Sequence, residues 1–412
     1  MNKRNIWLFL ALLLLILVNS SSAIWVSRRA MNYPRYGLMT AAVNNKLYAI
    51  GGMQRDSAVG YVEEYNPILD TWIVKAPMPV RRGQGICGVV NGKIYCIGGN
   101  RFRNSAPMDT VDVYDPNLNQ WQRRHKMPTR RQGFDGAVIG DSIYVCGGYF
   151  PGHPDFYTDT VEVYNTNRDS WFIRKSMHYP RVDFGSVSVN GKLYTISGLN
   201  NTTYLNYNEE YDPATDTWQL KAPIPLARTG LVCVTLGNKI YAIGGNRLGS
   251  SGGVYKRADV YNVIEDNWTL TDSLNIARTY AGATVINGYI FVVGGQGQNF
   301  QAVTSLEEYI PTGIEETNEN YKLNVKDFSV YPNPFKYYTI FRLPNLPHQS
   351  AQIAIYDNTG KLVRTINIGY SGHVQWKGTD NEDQPLKNGV YFAKVNYNSG
   401  PFISIIKILI LR

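Results

Sequence analysis

Residues 82–99 read RGQGICGVVNGKIYCIGG. An Arg opens the stretch, a glycine pair closes it, and two apolar-rich runs flank Asn91-Gly92. Asn-Gly between alternating runs specifies a tight hairpin turn. Counting outward from the turn pairs Val90 with Lys93, Val89 with Ile94, Gly88 with Tyr95 and Cys87 with Cys96. The glycine pair ends the second run, where the backbone needs conformations that other residues avoid.

The pattern returns five more times: RYGLMTAAVNNKLYAIGG at 35–52, RQGFDGAVIGDSIYVCGG at 131–148, RVDFGSVSVNGKLYTISG at 181–198, RTGLVCVTLGNKIYAIGG at 228–245 and RTYAGATVINGYIFVVGG at 278–295. From the Arg to the last glycine is 17 positions in every copy. A Tyr then follows after 13 to 16 positions, at Tyr65, Tyr114, Tyr164, Tyr211, Tyr261 and Tyr309. Beyond the first five, a Trp stands 7 further on, at Trp72, Trp121, Trp171, Trp218 and Trp268, and 10 before the next Arg. Each unit reads as four short strands. One such sheet cannot bury both faces, but sheets packed radially about an axis cover each other.

Six copies in register resemble the kelch repeat, and the resemblance covers residues 24–312. It implies an all-β, six-bladed propeller. Ser197-Gly198 in the fourth copy departs from the Gly doublet by a small-for-small change. The last copy poses a problem, because Glu316 stands where its Trp belongs and IPTGIEE offers no fourth strand. The missing Trp is Trp25, which precedes Arg35 by 10 and Gly52 by 27, the spacing of every other copy. The first strand after the leader is therefore expected to complete the last blade.

The leader spans residues 1–23. Lys3 and Arg4 precede 13 apolar residues, Ile6 to Val18, and a small polar stretch ending at Ala23. This is the pattern of a secretory signal peptide cut after Ala23. The apolar run is short for a membrane span, so no transmembrane helix is expected in the mature chain. Composition suits an exported β-rich protein, with 44% hydrophobic, 13% aromatic and only 18% charged residues. The net charge of +9 is ordinary solubility charge rather than a nucleic-acid footprint. No basic stripe with interleaved aromatics is present, so nucleic acid is not an expected partner. Among four cysteines no CxxC occurs. Cys87 and Cys96 fall on a non-hydrogen-bonded rung, where Cα atoms approach to about 4.5 Å. A cross-strand disulfide and two buried free thiols are both compatible with that register.

A residue identical in all copies occupies six equivalent places, which argues for a role in building blades. The Arg, Tyr and Trp series are therefore read as structural. Function belongs where copies differ: just after each Arg, and in the loop after each doublet. Those loops supply the binding-face candidates Arg55, Asn100, Arg101, Arg103, Tyr149, Phe150, Tyr204, Asn246, Arg247 and Gln296. Aromatic faces stack on sugars or apolar side chains, and Arg grips carboxylates. A glycan or protein ligand is the expectation. The five His show no metal-ligand spacing, GxSxG is absent, and no cofactor or metal site is expected. Some kelch propellers are sugar oxidases or epimerases, so a carbohydrate-active enzyme is the competing reading. Asp135 and Asp183, near the expected axis, would be its acids or simply hydrogen-bonded channel residues. Binding predicts an Arg- and aromatic-rich rim without converging acids; catalysis predicts titratable groups converging on the axis.

From Gly313 the composition turns polar and acidic, and residues 313–327 read as a linker. Residues 328–412 then carry VYPNPF and six or seven short alternating strands, a small sandwich. Tyr331-Pro332-Asn333-Pro334-Phe335, Ile355-Tyr356-Asp357, Gly360, Val363-Arg364, Trp376, Gly378, Asp380, Gly389-Val390-Tyr391-Phe392 and the ending KILILR resemble type IX (Por) C-terminal sorting domains. The likeness is to the variant related to the Ig-like domain of flagellar hook-assembly proteins. It implies contact with the secretion machinery and delivery to the outer cell surface or medium.

Overall fold

A computed structural model describes residues 24–67, 70–101, 106–150, 156–201, 203–248, 253–311, 329–343, 351–357, 361–368, 372–397 and 404–411. Residues 1–23 and 313–327, read from sequence as leader and linker, and Arg103 lie outside the described residues. Regular structure among the described residues is all strand. Two compact units divide the chain, one of them Ala23–Pro311 and the other including Thr312–Arg412.

The first unit contains six four-stranded antiparallel sheets among its described residues. In the second sheet, Ile86–Val90, Lys93–Ile97, Val111–Asp115 and Gln120–Arg124 run from the axis outward. The innermost strands neighbour one another in a closed circle: Met39–Val43, Ile86–Val90, Asp135–Ile139, Gly185–Val189, Val232–Leu236, Gly282–Ile286 and back to Met39–Val43. The hairpin register counted from Asn91-Gly92 holds, with Cys87 opposite Cys96. Both are free thiols, not a disulfide. They pack in an apolar cluster with Ile50, Ile94 and Val89, and burial pushes the Cys87 thiol up.

Trp25 closes the ring. The strand Ile24–Arg28 pairs with Leu306–Ile310, placing Trp25 opposite Tyr309. Its ring lies 5.0 Å from that of Tyr309, as Trp72 lies from Tyr65 and Trp121 from Tyr114. Trp25 Nε1 donates to the Asp272 carbonyl of the preceding blade at 2.9 Å. Trp72, Trp121, Trp171, Trp218 and Trp268 make the same reach, to the carbonyls of Arg29, Ala76, His125, Lys175 and Ala222. Each Trp therefore ties its own blade to the one before it.

The six Arg are fully buried. Each pairs with a buried acid: Arg35 with Glu63 at 2.7 Å, Arg82 with Asp112 at 2.7 Å, Arg131 with Glu162 at 3.0 Å, Arg228 with Asp259 at 2.9 Å, and Arg181 and Arg278 with Glu209 and Glu307. Other guanidinium nitrogens reach strand and doublet carbonyls, such as Arg35 Nη1 to the Gly51 carbonyl at 2.9 Å. A lone buried charge would be prohibitive, so the acid and the carbonyls together make the Arg tolerable. The doublet is equally constrained. A Cβ at Gly51, where φ is +60°, would sit 2.4 Å from the Arg82 carbonyl of the next blade. Ser197 tolerates its equivalent place because its hydroxyl donates at 2.8 Å to Arg228 O and accepts from Arg228 N at 2.9 Å.

The second unit stacks two sheets among its described residues. Ser329–Tyr331, Thr339–Arg342 and His373–Trp376 form one; Leu362–Ile368, Ala351–Asp357, Gly389–Tyr397 and Ser404–Ile410 form the other. Trp376, Phe335, Phe341, Ile353, Ile355 and Tyr391 fill the space between.

Candidate functional site

Both variable regions meet at one end of the propeller. Six antiparallel bridges join the residue after each Arg to the residue after each doublet: Tyr36 to Met53, Gly83 to Asn100, Gln132 to Tyr149, Val182 to Leu199, Thr229 to Asn246 and Thr279 to Gln296. The residues after each Arg and after each doublet are thus neighbours in all six blades. The bridges also bury some of these residues, because a residue held in a bridge faces its neighbours. Asn100 is fully buried and Asn246 nearly so. Asn246 Oδ1 accepts from the Thr279 hydroxyl at 2.8 Å, tying the fifth blade to the sixth. Neither Asn belongs to a binding face, which corrects the sequence expectation.

The exposed rim is built by the residues farther out. Arg55 and Arg101 are exposed, and their carbonyls accept from the Tyr36 hydroxyl and the Ala58 N–H, both at 2.8 Å. Arg247 is exposed and holds its guanidinium 5.4 Å from the centre of the Tyr204 ring. Tyr204 in turn accepts from Leu248 N at 2.8 Å. Tyr149 stacks on exposed Phe156, centroids 6.1 Å apart, and Phe150 N donates to Phe156 O at 2.8 Å. Gln296 turns back on its own loop, donating to Phe300 O at 3.0 Å. Arg257, just before the strand Ala258–Asn262, is bound to buried Asp259 and shares it with Arg228.

Inside the rim lies the axis. Gly37, Gln84, Gly133, Asp183, Gly230 and Tyr280 stand two places after the six Arg. All six have positive φ, between 52° and 63°. Their backbones form a closed ring of N–H to carbonyl bonds, each blade donating to the one before it. Gln84 donates to Gly37 at 2.8 Å, Gly133 to Gln84 at 3.1 Å and Asp183 to Gly133 at 2.7 Å. Gly230 donates to Asp183 at 2.8 Å, Tyr280 to Gly230 at 2.7 Å and Gly37 to Tyr280 at 2.7 Å. Glycine and a side-chain-bearing residue alternate around it. The reason is space: a Cβ at Gly133 would lie 2.7 Å from Asp183 Oδ1, and one at Gly37 would lie 3.0 Å from Gln84 Cγ. Each side chain occupies the room that the preceding glycine leaves.

Below this ring is a cavity of roughly 210 Å³, lined by Gln84, Cys87, Phe134, Asp135, Asp183, Ser186, Cys233 and Tyr280 among others. Asp183 Oδ2 accepts from the Tyr280 hydroxyl at 2.9 Å. Asp135 accepts from Gly136 N at 2.9 Å and Ser186 N at 2.7 Å. Enclosure raises both carboxyls, Asp135 to about 7 and Asp183 to about 6, against the opposing pull of these hydrogen bonds. The rim thus carries exposed Arg and aromatic side chains, and two acids line the axial cavity. The six acids that pair with the buried Arg were missed by sequence reasoning, though the signal is there: Glu or Asp stands two places before every repeated Tyr.

Comparison with known proteins follows this geometry. A Kelch motif matches residues 34–79, and a FlgD Ig-like domain matches residues 342–400. Kelch-like protein 24 of Rattus norvegicus is 31% identical over 114 residues, 28% of this chain and 18% of its own length. The Influenza virus NS1A-binding protein of Homo sapiens is 43% identical over 70 residues, 17% of this chain and 11% of its own length. Beta-scruin of Limulus polyphemus is 27% identical over 179 residues, 42% of this chain and 18% of its own length. The matched stretches thus span less than a fifth of these relatives. The solved structure of YjhT superposes with a TM-score of 0.57 at 16% identity, covering 67% of this chain and 95% of that one, a likeness of fold. The Attractin/LZTR1 beta-propeller matches residues 94–358, more than half the sequence, and the chain belongs to that kelch propeller family.

Proposed function

We propose that this chain is an exported bacterial surface or secreted protein whose propeller binds a glycan or protein ligand on its loop face. One observation carries the reading. Arg55, Arg101 and Arg247 remain exposed on the same end as Tyr204 and the Tyr149–Phe156 stack. Arg supplies bidentate donors, and the rings supply flat apolar area at low entropic cost. The human relative is named for binding a protein, which supports a protein as one class of ligand. Export is supported by the leader pattern at residues 1–23 and by the likeness of residues 328–412 to type IX sorting domains.

The full chain is tested on a glycan array and against surface-protein extracts. A ligand found there is expected to bind the Tyr204→Ala/Arg247→Ala variant about tenfold more weakly, a loss of about 1.4 kcal/mol. Unchanged binding by that variant removes the rim from the ligand site. A second reading, a carbohydrate-active enzyme of epimerase or oxidase type, is favoured by the two carboxyls in one cavity. Turnover of a sugar that disappears in Asp183→Asn would establish it.

A further inference from the structure

Positive charge is unevenly shared among the blades. Between its Trp and the next repeated Arg, the second blade carries Arg123, Arg124, Lys126 and Arg130 and no acid, where the other five carry at most two cations. The difference holds position by position. Two places after the Trp, Arg123 stands where the others have Val74, Ile173, Leu220, Leu270 and Ser27. Five places after it, Lys126 stands where they have Pro77, Ser176, Pro223, Ser273 and Ala30. Function belongs where copies differ, and this difference is one of charge.

The fold crowds these cations together. Met127 N donates to the Asp109 carbonyl at 2.8 Å and Met108 bridges Arg131, which pins the segment along the residues leading into the strand Val111–Asp115. Arg130 lies 3.3 Å and Lys126 3.8 Å from the Asp109 carboxylate. Arg123 lies 2.6 Å from one oxygen of Asp112, whose other oxygen holds buried Arg82 at 2.7 Å. Two carboxylates three residues apart thus serve four cations, and two positive charges are left over. The side chains of Arg123, Lys126 and Arg130 are 54%, 71% and 63% exposed. Exposed ion pairs add little stability, and like charges held close repel. The cluster is therefore a poor device for building a blade and a good one for gripping an anion from outside.

We propose that this edge of the second blade binds an acidic polysaccharide, with Arg123, Lys126 and Arg130 holding its carboxylate or sulfate groups. Guanidinium and ammonium groups make their strongest hydrogen bonds to such anions. What surrounds the cations selects the polymer. Among the described residues from Gln120 to Arg131 no large apolar side chain is exposed. A protein partner binds through buried apolar or aromatic anchors, a single-stranded nucleic acid stacks its bases on rings, and a membrane takes up apolar side chains. This surface offers charge alone, which suits an extended, hydrated polyanion. It uses none of Arg55, Arg101, Arg247 and Tyr204, so it stands whether or not the loop-face reading holds.

The test is biolayer interferometry of the full chain on immobilised alginate, heparin, dextran, duplex DNA and phosphatidylglycerol vesicles. Alginate or heparin is expected to bind about tenfold or more tighter than dextran, and tighter than DNA or the vesicles. Affinity is expected to fall about tenfold between about 50 and 200 mM salt, as bound counterions return to the polymer. Tighter alginate identifies carboxylates as the recognised groups, and tighter heparin sulfates; either supports the site. The triple variant Arg123→Gln/Lys126→Gln/Arg130→Gln is expected to lose about tenfold or more. Arg168→Gln/Lys239→Gln/Lys256→Gln removes the same charge from exposed positions elsewhere and is expected to lose much less. Asp109→Asn frees two of the cations and is expected to strengthen binding several-fold, a gain that a merely structural role does not give. Equal losses in the two triple variants, no gain in Asp109→Asn, DNA or vesicles bound as tightly as the polysaccharides, or no binding of either polysaccharide overturns the proposal.

Discussion

Asp183 shows how much one position can be asked to do. Its backbone N–H and carbonyl both belong to the axial ring, at φ +53°. Its side chain fills the room left by Gly133 and accepts from Tyr280. Enclosure raises its carboxyl to about 6 from an ordinary value of 3.8. The sign of the consequence follows from linkage. The folded state holds the proton more tightly than the unfolded chain, so this group's contribution to stability is complete below pH 3.8 and is lost as pH rises through about 6. Asp183→Asn removes the titration. Its melting temperature relative to wild type is therefore expected to rise between pH 4 and pH 8, measured by thermal scans in matched buffers. A difference that stays flat with pH would mean that Asp183 is not enclosed as described.

At the scale of the strand, Trp25 carries the argument. It is 8% exposed, packs at a tilt against the Tyr309 ring, and donates to the Asp272 carbonyl of the fifth blade. Trp25→Ala is expected to destabilise the propeller by roughly 3–5 kcal/mol, the cost of emptying a core Trp site, read by denaturant midpoints. Melting like wild type would mean that the closing strand is dispensable. This closure was legible because spacing alone identified the displaced Trp. So was the Cys87–Cys96 register, since one Asn-Gly turn fixes a whole hairpin. Other elements were not legible. Asn100 and Asn246 read as polar loop residues, but a backbone bridge turned them inward. The alternation of Gly37, Gln84, Gly133, Asp183, Gly230 and Tyr280 has no meaning along the chain. It acquires one only when residues 47 to 50 apart become neighbours around an axis. Asp135 and Asp183 were placed near that axis, but the cavity they line emerged only with the fold.

At the scale of the molecule, each unit has its own core and its own sheets. Deleting residues 328–412 is therefore expected to leave a folded propeller with an unchanged melting transition. If the sorting role proposed for those residues is right, the truncated protein stays in the periplasm, read by cell fractionation. Normal surface delivery of the truncated chain would refute that role.

The closed ring also has a history in time. Among the propeller's described strands, synthesis makes Ile24–Arg28 first and its partner Leu306–Ile310 last. Until then the outermost strand of one blade waits, and five finished blades stand as an open arc with a bare edge. Contacts this distant along a chain form slowly, because the loop must close before the contact repays it. A bare edge is also a template for another chain. Two arcs held together at high concentration can each lend the other its first strand, producing an exchanged dimer held by the same Trp25 and Tyr309 contact that seals the monomer.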